Sequence, residues 1–179
     1  MKPRLPLITA MGTISLVLAV FIANAQEQKK SPSTQPMSGM TETQDQKMNE
    51  RGDHVMGFDH TKTTHHFRLL ADGGSIEVTA NSAQDRESRD QIRMHLRHIA
   101  KMFAAGNFNA PMLIHDQVPP GVPAMQKLKS EIQYKFEEIE QGARIRISTN
   151  NPEPLQAIHD FLRFQIKEHK TGDSLDISQ

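Results

Sequence analysis

The sequence predicts an α+β fold in which two ββα units form a four-stranded antiparallel sheet with two helices on one face, plus a short connecting helix. Three observations lead there. Two pairs of short strand-like segments are each joined by a glycine-containing turn, at Asp72-Gly73-Gly74 and at Glu140-Gln141-Gly142. Each pair is followed by apolar residues at helical spacing, Ile92, Leu96, Ile99 and Phe103 in one case and Ile158 and Leu162 in the other. The units also match at an offset of 69 residues, Phe67 with Phe136, Ile76 with Ile145 and Val78 with Ile147, as an internal duplication would leave them.

In chain order, Lys2 and Arg4 precede an apolar run from Leu5 to Ile22, closed by Ala23-Asn24-Ala25. This is the pattern of a secretory signal peptide, residues 1–25, cleaved after Ala25. The expected location is the periplasm or the exterior, with no membrane span left after cleavage. No cysteine follows the run, so lipid attachment there is excluded. Residues 26–62 are rich in Gln, Ser, Thr, Lys and Met. Such a composition buries too little apolar surface to offset its ordering entropy and predicts a disordered polar linker.

The α+β domain is expected over residues 63–172. In the first unit, residues 63–106, His65 to Leu70 reads as a strand and Ser75 to Ala80 as its return. An even-length turn puts His65, Phe67, Leu69, Ile76 and Val78 on the inner face and His66 outside. The helix starts after Asn81-Ser82 and stops at Gly106. Within residues 107–132, Asn107 to Gly121 is too apolar for an exposed connection, and a short helix follows from Pro123 to Ile132. In the second unit, residues 133–172, strands Tyr134 to Ile139 and Ala143 to Ser148 precede a helix with Asn151 as N-cap and Pro152 at its first position. Residues 173–179 form a flexible tail.

Composition narrows the function. The chain of 179 residues has 21 Lys+Arg and 21 Asp+Glu, and loss of Lys2 and Arg4 with the signal peptide leaves a net charge of about −2. No basic footprint for nucleic acid or an acidic membrane surface is present. The solvent-facing sheet positions carry mixed charges and no aromatic residues on which bases could stack. With no Cys, disulfide scaffolds, Cys-ligated zinc, iron–sulfur clusters and thiol catalysis are excluded. No nucleophile motif, Gly-rich phosphate loop or zincin helix occurs, so an enzyme is not expected, and no organic cofactor is implied.

What stands out is nine His and ten Met. His95 and His98, three apart on a helix, can reach one centre. The chain can fold back after Gly106, which adds His115, with Met102 or Met112 as softer ligands. Imidazole with thioether sulfur suits copper, and zinc or nickel less well. His54, His60, His65 and His66 make a second candidate group where the linker meets the domain. His65 and His95 are expected too far apart for one centre, and His159 and His169 read as helix-surface or helix-end residues. The His/Met-rich, Cys-free composition is similar to that of periplasmic copper-handling proteins. The expectation is an exported protein binding copper for storage, delivery or resistance, partnered by an envelope protein or a metal donor or acceptor. The alternative is a metal-free envelope interaction module. Either is a monomer or a dimer through an open sheet edge.

Overall fold

The computed structural model describes residues 38 to 178, so the expected signal peptide and its cleavage site lie outside the described residues. The fold is α+β, with a mixed five-stranded sheet and five helices. Strands β1 (Thr63–Leu70) and β2 (Gly73–Ala80) form one hairpin, and β3 (Gln133–Ile139) and β4 (Gly142–Ser148) the other. Leu70 pairs with Gly73, which leaves a two-residue turn of Ala71 and Asp72. That register sets Phe67 opposite Ile76 and His65 opposite Val78, so alternation carries His65 to the same face as the buried Phe67 and Leu69.

The hairpins join through β2 and β4, with Ile76 opposite Ile145. Inward side chains Phe67, Leu69, Ile76, Val78, Ile145 and Ile147 meet Ile92, Leu96, Ile99 and Phe103 of α2 (Arg86–Ala104) and Ile158, Phe161 and Leu162 of α5 (Pro152–Glu168). Asp85 starts α2 by accepting the Ser88 N–H at 3.0 Å, and Asn151 starts α5 by accepting that of Glu153 at 3.0 Å. At Gly74, a Cβ would lie 2.1 Å from Leu162 Cδ1, so the missing side chain is what lets α5 approach the sheet. The other face is polar, and Arg144 donates to Glu77 through both Nε and Nη2, at 2.8 and 2.6 Å.

Three regions differ from the sequence expectation. The sheet has a fifth strand, β5 (Ile177–Ser178), parallel to β1, within the segment expected to be a flexible tail. Asp173 holds it there, its carboxylate accepting the Phe67 N–H at 2.9 Å and meeting His66 Nδ1 at 2.9 Å. The connection between the units contains a helix not foreseen, α3 (Asn109–His115), before α4 (Val122–Lys127). Its anchor is Phe108, fully buried and stacked on Phe103 at 4.3 Å, and such burial contributes about 3 kcal/mol.

The third difference lies in residues 26–62, expected as disordered. Ser38–Met56 forms helix α1, which ends at Gly57 in the left-handed conformation, φ 76°. It rests on α3, where Arg51 Nε donates to Ile114 O at 2.9 Å. Phe58 is buried in the core with Met56 packed beside it. A few apolar anchors after a polar helix dock it, and a compositional average over the segment hides them.

Candidate metal centre

The inner face of the sheet runs out of aliphatic side chains at the start of β1 and ends in imidazoles. His65 enters from β1, His95 from the middle of α2, and His169 from the C-cap of α5. The His65 ring lies 5.6 Å from that of His169, nearly parallel at 9°, and 6.1 Å from Phe58. His95 meets the same Phe58 edge-on at 5.6 Å. His65, His95, His169, Met56 and Gln165 line one small, mostly apolar cavity of about 70 Å³.

Burial sets the protonation of these rings. It pushes the pKa of His65 down to about 4, with the nearby His95 adding to the shift. It pushes His95 down to about 4, helped by His98, and His169 down to about 3, helped by His65 and His115. All three are therefore neutral at ordinary pH, because each charge would be paid for in lost hydration. Hydrogen bonds engage the rings of His60, His66, His115 and His159, whereas none among the described residues engages His65, His95 or His169. Neutral imidazoles without a partner have lone pairs open to a ligand.

His115 stands at the end of this row. Its ring is 5.0 Å from His169 at 80°, and its Nε2 lies 3.1 Å from Gln165 Oε1. Burial lowers its pKa, partly opposed by Gln165 and Glu168. Its Nδ1 is buried and makes no hydrogen bond, as is the Gln165 Nε2.

The structure regroups the residues that the sequence singled out. His95 does not share the cavity with His98, which is exposed in a surface hollow with Asp90, Met94 and Arg97. Met102 is half-buried outside the cavity lining, and Met112 lines a separate hollow beside Leu113 and Val118. Of the second group, His54 is exposed, His60 is tied to Asp53, and His66 points outward to Asp173. Only His65 of that group joins His95, which corrects the expected separation. α2 packs on β2, β3 and β4, and His95 from its middle lines the same cavity as His65.

His159 and His169 are also corrected. His159 is 4% exposed, and its Nε2 reaches Leu70 O at 2.9 Å and Gly73 O at 3.0 Å. His169 is the third member of the cluster, and its neutral state removes the helix-dipole role. Its signal was in the sequence: Phe161, Gln165 and His169 recur every four residues, along the buried side of α5.

Among the described residues, one conventional group meets a metal-ligand spacing, namely Asp53, Asp59 and His60, whose donor atoms all lie within 4.8 Å of one another. Those donors already serve the backbone turn. Asp53 binds the His60 N–H and ring, at 2.8 and 2.9 Å, and Asp59 accepts from Thr61 N and Oγ1 at 2.8 and 2.6 Å. No three of the cluster imidazoles reach that spacing among the described residues.

Comparison with protein-family models, curated proteins and solved structures finds no match for this chain. Among the described residues no helix is long and apolar enough to cross a membrane.

Proposed function

We propose that the chain is an exported, non-catalytic copper-binding protein that carries Cu(I) in the cavity lined by His65, His95, His169 and Met56. The observation that supports it is the meeting of three neutral imidazoles, none with a hydrogen-bond partner, with a thioether at one small apolar cavity. Neutral rings hold no proton that the metal must displace. Cu(I) takes two or three ligands, so it does not need the convergent four-ligand set of structural zinc. A single small cavity suits delivery of one ion better than bulk storage. The partner is a metal donor or acceptor of the envelope.

The test is competition for Cu(I) against bicinchoninate, with the purified full chain. Sub-micromolar binding of one Cu(I), lost in the His65→Ala, His169→Ala double variant and kept in His98→Ala, is the expected result. Binding weaker than micromolar removes the reading. A second reading, a metal-free interaction module, draws on the exposed Leu113 and Val118 beside Met112, which form an apolar hollow of about 340 Å³. If Leu113→Glu abolishes capture of an envelope partner while copper has no effect on thermal stability, that reading gains, since a ligand of the native state raises its melting temperature.

We further read the two ββα halves as an internal duplication. At the 69-residue offset Ile76 corresponds to Ile145, and these two residues pair with each other across β2 and β4. Pairing of equivalent residues is what a pseudo-two-fold axis at that junction requires.

A further inference from the structure

A cleft of about 420 Å³ opens beside α1, the end of α3 and the end of α5, outside the apolar cavity. Its walls include Met48 and Arg51 from α1, His115 and Asp116, and Glu168. His115 is the unexplained member. Its side chain is 0% exposed, yet its Nδ1 has no hydrogen-bond partner and sits 4.0 Å from Glu168 Oε2. No protein group among the described residues satisfies that nitrogen, which leaves it open to a ligand.

The rest of the ring is already arranged for one. Gln165 Oε1 lies 3.1 Å from Nε2 and accepts its proton, which leaves the lone pair on Nδ1. Metal-bound histidines are oriented in this way, with the second ring nitrogen donating to a fixed acceptor. With bonds of about 2.0–2.2 Å from a metal to imidazole and to carboxylate, one ion bridges donors about 4 Å apart when the two stand nearly opposite each other. The charges are mixed. Asp45, Asp116 and Glu168 line the cleft together with Lys47 and Arg51, and at His115 the positive charge of Arg51 is opposed by the carboxylate of Glu168.

We propose that this cleft is a second metal site, binding a divalent transition-metal ion, Cu(II) foremost, through His115 Nδ1 and the Glu168 carboxylate, with water in the remaining positions. Among the divalent first-row ions Cu(II) binds such nitrogen and oxygen donors most tightly. The site does not rest on the Cu(I) reading, because it uses other donors and another oxidation state. His169 lies between the two, its ring 5.0 Å from His115 and 5.6 Å from His65.

The test is titration of the full chain with copper(II) sulfate, read by electron paramagnetic resonance. The background is His54→Ala, His98→Ala, which removes two exposed imidazoles. The expected result is one bound Cu(II) with nitrogen hyperfine structure. In Glu168→Gln or His115→Gln the affinity falls at least about tenfold and the spectrum changes. Glu168 is on the surface, so that variant keeps the fold. No bound Cu(II) signal, or an unchanged signal and affinity in Glu168→Gln, overturns the proposal. So does loss of the signal in His65→Gln with Glu168 intact, because the cleft would then not be separate. Loss of Cu(I) binding with a retained Cu(II) signal removes the inner-cavity reading alone.

Discussion

Two histidines of α5, ten residues apart, occupy opposite ends of the sheet and opposite chemical situations. His159 sits over the β1–β2 turn, with Leu70 O and Gly73 O both within hydrogen-bond reach of one ring nitrogen. His169 sits over the start of β1, ringed by His65, Phe67 and His115, with no hydrogen bond to its ring among the described residues. The difference teaches how to tell a structural imidazole from an available one. His159 is buried and His169 half-buried, and what separates them chemically is the satisfaction of the ring nitrogens.

Acid gives the largest expected effect on this contrast. In the folded apo protein His65 and His95 stay neutral down to about pH 4, and His169 to about pH 3, whereas unfolded histidine takes up its proton near pH 6.5. Below that pH the unfolded chain binds more protons, so stability is full above about 6.5 and falls as the pH drops toward 4. Each ring contributes a slope of about 1.4 kcal/mol per pH unit. Urea denaturation of the metal-free protein between pH 7 and 4 measures it, and the His65→Gln, His169→Gln variant flattens the curve. An unaltered slope in that variant would break the contrast from the His169 side.

Next in size is His159→Ala. It leaves two backbone oxygens without their partner and opens a cavity, at a cost of about 3 kcal/mol by denaturant titration. Copper binding of the folded fraction stays at the wild-type level. A loss of copper with little loss of stability would reverse the roles assigned to the two histidines.

Met56→Leu isolates the thioether from its volume. The swap costs less than about 1.5 kcal/mol of stability. Cu(I) affinity falls by about tenfold, the lower end of what even outer-sphere changes produce at metal sites. The smallest effect belongs to His98→Ala, which changes stability by less than about 0.5 kcal/mol, as expected for an exposed side chain. Cu(I) affinity is unchanged in the same titration.

The strands, their turns and the two long helices were legible because each is written in local periodicity and local punctuation. Asn151 before Pro152, and the alternation from Phe67 to Val78, need no tertiary knowledge. The regions that escaped depend on distant partners. The C-terminal strand exists because Asp173 reaches Phe67 N and His66, and α1 docks through Arg51, Met56 and Phe58 within a polar stretch. The site shows the same division. His95 and His115 were visible as ligand types, and the inward direction of His65 followed from the hairpin. The grouping was not visible, because it depends on where α2 lies over the sheet and on α5 delivering His169 from more than a hundred residues away. His98 was chosen by spacing alone, and helical spacing does not say which side of a helix faces the sheet.

The short parallel strand at the end of the described chain has a temporal consequence. β5 follows every other described element in chain order, so the outer edge of β1 stays uncovered until residues 173–178 have emerged. During synthesis, an otherwise assembled sheet would present a bare row of amide groups to any neighbouring chain. The Asp173 latch therefore acts as a finishing step in biogenesis. A fusion placed directly after Ser178 would delay that step, and the earliest sign would be aggregation during synthesis, before any change in the properties of the folded protein.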